Sequence, residues 1–337
     1  MICIIVCITF QSCQKSNSTL NSATPNSPNS AISGDVFVAG AGLLSTFYGV
    51  GVATVWQNGT ATSLPSTTNY QAQASSVFIS GNDVYVAGTA YASDGSHIAT
   101  IWKNGIGTKL GSTGSYANSV FVVGNDVYLV GDDLNNGKIC ATIWKNGIAT
   151  TLSNYESTAK SVYISGSDVY VAGNVAINYF GNFKATIWKN GIATTLSNVI
   201  STGNSVFVTG GDVYVAGFAS DSSNGGNTLA ATWKNGVITT FGKFGSTANS
   251  IFVSNKDVFV AGIDRPSYTA TVWKNGVAVA LSNNISYAFS LFVTGNDVYV
   301  AGGTKINGVD VATVWKNGVV AVLSNTNSVA NSVYVKQ

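Results

Sequence analysis

Short runs of β-branched, aromatic and small residues recur along the chain from residue 34 onward, and one unit shows the rule. Residues 160–198 read KSVYISGSDVYVAGNVAINYFGNFKATIWKNGIATTLSN. Four apolar-rich runs stand out, at 161–164, 168–172, 185–188 and 192–196, with an irregular stretch at 174–184 between the second and third. Runs this short, rich in Val, Ile, Tyr and Thr and bounded by Gly and Asn, predict strands. No stretch beyond the N-terminal segment has a sustained helical period.

The unit repeats with a marker. Trp56, Trp102, Trp144, Trp188, Trp233, Trp273 and Trp315 lie 46, 42, 44, 45, 40 and 42 residues apart. Six are followed by Lys-Asn-Gly and the first by Gln57-Asn58-Gly59. A period of about 40–50 residues marks a solenoid, a propeller or another array. Asn-Gly accepts positive φ at both central positions of a type I′ hairpin, so it joins the third and fourth strands tightly in every unit. The first and second strands meet at Gly-Asn-Asp (Asp83, Asp126, Asp297), Gly-Ser-Asp (Asp168), Gly-Gly-Asp (Asp212) or Asn-Lys-Asp (Asp257). Each unit is therefore a four-stranded antiparallel meander.

The ends decide between an open array and a ring. The second-strand motif first appears at Asp35-Val36-Phe37-Val38-Ala39-Gly40 with no first strand before it, and the missing strand stands at residues 332–335, Ser-Val-Tyr-Val. A solenoid would carry polar capping repeats instead. A ring needs the exchange, because closure removes exposed strand edges. The prediction is an all-β, seven-bladed β-propeller over residues 34–337, closed by strand 332–335 completing the N-terminal blade.

This one-plus-three closure, with the first strands innermost, resembles that of kelch-type propellers. Ala-Gly, however, stands where kelch repeats have Gly-Gly, the Trp lies on the third strand, and the Trp-Asp of WD40 repeats is absent. The Asp-Val-Tyr-Val-Ala-Gly element is similar to the β-propeller repeats of exported bacterial proteins, over nearly everything from Gly34. The resemblance implies a fold, and the activity must be read from the loops.

Composition narrows the partners. Charged residues make up 9 % of the chain, against about 25 % in a typical globular protein. The net charge of +2 is spread without a Lys/Arg cluster, which argues against charge-driven binding of nucleic acid or an anionic membrane. The N-terminal run MICIIVCITF is too short to span a bilayer but fits the apolar core of a secretion signal. Phe10-Gln11-Ser12-Cys13 resembles a bacterial lipobox, with Phe10 and Gln11 in place of the usual Leu and small residue. The resemblance implies a signal at 1–12, lipidation at Cys13 and an exported, envelope-anchored protein whose only membrane contact is the lipid; the alternative is a cleaved signal and a secreted, soluble chain. Residues 13–33, rich in Ser, Asn and Pro, read as a tether. Cys3 and Cys7 lie in the signal. Cys140 is left alone just before the predicted strand 141–144, and reads as a small apolar residue rather than a reactive thiol.

The repeated residues read as structure. A Trp in mid-strand in all seven units fills the wedge between neighbouring blades better than it stacks on a ligand. Asp35, Asp83, Asp126, Asp168, Asp212, Asp257 and Asp297 lack the spacing of a calcium loop and suit hydrogen bonding at the hairpin. Because the second strand starts and the third ends on one face of the disc, Asp83 should lie near Lys103, Asp126 near Lys145 and Asp168 near Lys189.

Function is expected on the opposite face, where the second-to-third connections and the links between blades break the repeat. A rigid scaffold carrying variable loops commonly builds a binding surface. The candidate binding residues are Tyr91, His97, Tyr179, Phe180, Arg265 and Tyr268. The chain has one His, one Glu (Glu156) and one Arg, and contains no GxSxG, HExxH or His/Cys metal cluster. No catalytic residue, cofactor or metal is assigned. The leading expectation is a monomeric, surface-tethered module that binds protein or glycan. The alternatives are a carbohydrate-active hydrolase or lyase using loop aspartates, and a purely structural envelope protein.

Overall fold

A computed structural model describes residues 35–42, 51–177, 182–221 and 226–337. The predicted signal, Cys13 and the tether lie outside the described residues, as do Tyr179 and Phe180. The described residues contain 28 strands and no helix.

The strands form seven four-stranded antiparallel sheets. Blades 2 to 7 span residues 71–109, 116–151, 157–195, 201–241, 247–280 and 286–322, each in simple sequence order. Blade 1 joins residues 36–63 to the last strand, Val329–Val335. In that blade Val38 is paired with Trp56 on one side and Val333 on the other. The predicted closure is therefore present, and the strand it uses starts three residues before 332.

The tight turns form as their residues require. All seven Asn-Gly pairs at the end of the third strand have positive φ at both positions, from Asn58 (51°) and Gly59 (83°) to Asn317 (50°) and Gly318 (80°).

The Ala-Gly of the second-strand motif has a cause that periodicity does not show. Each innermost strand carries one extra residue beside that glycine, for example between Ala74 and Ser76 opposite Gly88. The bulge brings backbone so close that a Cβ on any of the seven glycines would meet a carbonyl oxygen at 1.8–2.1 Å. Only glycine permits this approach. The extra residue in each blade is pushed out of register, towards the end of the channel away from the tight turns.

Three rings of contacts hold the disc together. The tryptophans are the outermost: each is at most 2 % exposed and packs into the preceding blade, Trp56 against Tyr299 and Val314 and Trp102 against Phe37 and Val55. The second ring is polar. Ser76, Ser119, Ser161, Ser205, Ser250, Ser290 and Ser332 each accept, through Oγ, the backbone N–H of the next blade's innermost strand at 3.1–3.4 Å.

The third ring narrows the channel. Phe78, Phe121, Tyr163, Phe207, Phe252, Phe292 and Tyr334 follow one another around the axis with centroids 4.5–5.2 Å apart. Neighbouring planes are tilted 42–57°, bracketing the about 51° into which a sevenfold turn divides. A phenyl ring is about 6.7 Å wide at its van der Waals surface, so rings this close cannot lie flat around the axis. They stand as vanes with an edge turned inward, and their edges form a waist in the channel.

Candidate functional site

The tight-turn face is six copies of one self-satisfied cluster. In blade 2, Asp83 Oδ2 lies 2.8 Å from Lys103 Nζ, Oδ1 accepts the Asn104 amide at 2.7 Å, and Lys103 Nζ stands 5.1 Å from the Tyr85 ring centroid. The same Asp–Lys contact recurs at 2.7–2.9 Å for Asp126, Asp168, Asp212, Asp257 and Asp297. The lysine and the turn asparagine hold these carboxyls below the usual carboxylate range. Asp35 keeps its place in the motif, but its blade has Gln57 instead of lysine. Such clusters have their partners already and offer a ligand little.

The opposite face is where the blades differ, though less of it is irregular loop than the strand-length runs predict. Tyr91 ends one strand and His97 begins the next, and the strand of Asp132 continues to Asn135. Two second-to-third connections are themselves Asn-Gly hairpins, Asn136-Gly137 and Asn307-Gly308, with positive φ at all four residues. Both dipeptides were readable as type I′ signals in the sequence, and they extend the strands of blades 3 and 7 up to the turn. Cys140, expected just before its strand, lies within Lys138–Lys145 and is 1 % exposed; burial pushes its thiol pKa up.

The candidate binding residues fall into two separate groups. Tyr91 and His97 are a cross-strand pair in blade 2 with centroids 6.1 Å apart. His97 in turn stacks on Tyr116 of blade 3 at 4.2 Å and 31°. Burial raises the Tyr91 hydroxyl to about 12, with the neighbouring Tyr116 adding to the shift. Arg265 and Tyr268 pair within one connection of blade 6: the guanidinium lies 4.0 Å from the ring centroid and donates to the hydroxyl at 2.7 Å. Tyr268 holds positive φ, 53°.

The most unusual chemistry lies between these groups and the axis, on residues outside the candidate set. The residue after the bulge glycine is Thr89, Asp132 and Asn174 in blades 2 to 4, but Phe218 and Ile263 in blades 5 and 6. This position beside the bulge is thus polar and buried in three successive blades and apolar in the next two. Asn174 links two blades, accepting from Thr158 Oγ1 at 2.9 Å and donating to Thr202 Oγ1 at 3.1 Å. Asp132 is 7 % exposed, and its Oδ1 accepts the Ala159 N–H of blade 4 at 3.0 Å. Burial pushes its pKa up to about 7, against the Ala159 N–H, the Lys160 charge and Asn118. Lys160, half-buried beside it, is lowered by burial while the Asp132 charge opposes the shift. A carboxyl displaced by burial beside a charged partner marks functional sites more often than chance. Their signal in the sequence was faint: an Asp after the motif glycine, and a Lys where four other blades have Asn, 28 residues apart.

Among the described residues no group of three or more His, Cys, Asp or Glu could hold a metal ion.

No family model matches this chain, and no curated protein matches it. Among solved structures it is similar to TolB from Acinetobacter baumannii, at 13 % identity and TM-score 0.47, over 75 % of this chain and 67 % of that one. It is also similar to an acylaminoacyl peptidase of Pyrococcus horikoshii, at 13 % identity and TM-score 0.48, and to a puromycin-hydrolysing peptidase of Mycobacterium tuberculosis, at 11 % and 0.40. These likenesses cover 77 % and 78 % of this chain, which spans only 46 % and 54 % of the two peptidases. All three are distant, and no activity is taken from them.

Proposed function

We propose that this protein is a binding module of the cell envelope that engages a protein or glycan partner through its variable face. One observation carries the reading. The sevenfold rule gives one face six copies of a self-satisfied Asp–Lys–Asn cluster, whereas unrepeated polar and aromatic groups collect on the other. Rigid strands position those groups at little entropic cost to a partner.

Export and anchoring rest on the sequence. The apolar run at 1–10, Ser12-Cys13 and the Ser/Asn/Pro-rich segment at 13–33 together support a lipidated Cys13 with the propeller on a tether. Catalysis is the second reading, favoured by Asp132 alone, since a buried carboxyl titrating near neutrality suits a general acid. Its neighbour Asp133 is engaged elsewhere, accepting from the Ser112 hydroxyl and N–H.

The test compares two triple variants on an array of glycans and on immobilised envelope proteins. His97→Ala/Arg265→Ala/Tyr268→Ala strips the variable face; Lys103→Ala/Lys189→Ala/Lys274→Ala strips the other. The reading expects binding to fall at least about tenfold in the first and to persist in the second. Equal loss in both, or none in the first, contradicts it.

A further inference from the structure

The bulged residue of the innermost strand is Asn in four blades, and there it latches one blade to the next. Asn118, Asn204, Asn249 and Asn331 donate their amides to the carbonyls of Ala159, Ala248, Ala288 and Ala74, at 2.8–2.9 Å. Blade 4 has Lys160 at this position. Among the described residues its ammonium makes no hydrogen bond and no ion pair, so the amide latch is given up here, and Asn174 ties blade 4 to blade 5 by donating to Thr202 Oγ1 at 3.1 Å.

Next to it lies the buried Asp132 carboxylate. Only Oδ1 is held by backbone, through Ala159, and the pair does not close to ion-pair distance, within 4.0 Å. An ammonium without a protein partner among the described residues thus stands beside a carboxyl held by Ala159 and Asn118, with a gap wider than ion-pair distance between them.

The gap selects its occupant. An anion that suits Lys160 meets the Asp132 carboxylate, and a cation that suits Asp132 meets Lys160. A neutral ligand with adjacent hydroxyls satisfies both, one hydroxyl donating to the carboxylate and the next accepting from the ammonium. Beside the pair are two aromatic rings. Tyr116 is directly opposite Asp132 across the strand pair, and His97 packs against its ring at 4.2 Å with the planes tilted by 31°; a pyranose presents C–H groups to such rings. Further down the channel the seven aromatic vanes narrow the passage, so the ligand enters and leaves by the variable face.

We propose that Asp132 and Lys160, flanked by Tyr116 and His97, bind a neutral sugar residue of a glycan at the variable-face mouth of the channel. This rests on the binding reading above and names the ligand class and the place.

The experiment is saturation-transfer NMR on the folded protein with a panel of neutral oligosaccharides, each up to about 10 mM. The proteins are wild type, Lys160→Asn, Asp132→Asn, Lys274→Ala and Tyr268→Ala. Lys160→Asn restores the residue that latches four other blades, so it should fold at least as well as wild type; an unchanged melting temperature certifies that. The expected result is a wild-type signal that falls at least about tenfold in apparent affinity in Lys160→Asn and Asp132→Asn and persists in Lys274→Ala, on the tight-turn face. No wild-type signal with any sugar overturns the inference. So does a signal that Lys160→Asn retains. If Tyr268→Ala alone abolishes it, this site is wrong while variable-face binding stands.

Discussion

The backbone N–H of Val77 donates to Ser332 Oγ at 3.2 Å, across 255 positions of sequence. It is the last of seven equivalent bonds, and it exists only because the C-terminal strand lies in the first blade. Removing residues 329–337 deletes that bond, exposes the edge of the strand at Val36–Gly42 and opens the ring. The truncated chain is expected to lose its cooperative melt and aggregate, observable by calorimetry and size exclusion. Ser332→Ala, which removes the acceptor alone, should cost only about 1 kcal/mol, a drop in Tm of about 2 °C.

Gly131 and Gly303 separate what the bulge requires from what is merely glycine. A Cβ at Gly131 would lie 2.0 Å from the Tyr116 carbonyl oxygen, whereas the nearest atom to one at Gly303 is 3.7 Å away. Gly131→Ala should destabilise by more than about 3 kcal/mol and Gly303→Ala by less than about 0.5 kcal/mol in denaturant titrations.

Trp144 and Trp188 differ only at the indole nitrogen. Both are fully buried, but Trp188 Nε1 donates to the Leu152 carbonyl at 3.0 Å, while Trp144 Nε1 has no partner. Trp→Phe should therefore cost about 1 kcal/mol more at 188 than at 144. Trp→Ala at either site should cost about 3–5 kcal/mol.

These contrasts show how far the sequence was legible. The strands, the Asn-Gly turns, the Asp–Lys pairs and the closing strand were readable because each depends on spacing within one repeat or at the two ends. The aromatic vanes were visible as the Phe or Tyr of every first strand, yet their contact depends on the geometry of the closed ring. The bulge was hidden because a glycine recurring once per unit does not show which backbone it must approach. Asp132 and Lys160 meet only because the bulge pushes one residue per blade out of register. His97 was readable as a loop candidate, but its stacking on Tyr116 joins two blades that no local rule connects.

Two sets of carboxyls give the stability curve opposite slopes. The six turn-face aspartates have folded pKa values below 3.8, so their contribution is present above the unfolded value and is lost as pH falls through the folded ones. Asp132 is reversed: its folded pKa, about 7, exceeds the unfolded 3.8. Between these values the native state holds a proton that the unfolded chain releases, and stability falls as pH rises. Lys160 and Tyr116 are the titratable groups around it. Thermal melts should show a maximum near about pH 4–5, then a decline of at least about 3 °C towards pH 7. Asp132→Asn should flatten that decline and leave the acid limb unchanged.

The central claim is that the two faces of the disc are functionally unequal, and site-specific photo-crosslinking in living cells tests it most directly. A photoreactive amino acid is placed at Tyr91 or Tyr268 on the variable face, and at Asn82 or Ser167 on the tight-turn face. Adducts of defined mass from the first two positions and none from the last two are the predicted result. Adducts of equal yield from Asn82 or Ser167 would contradict it.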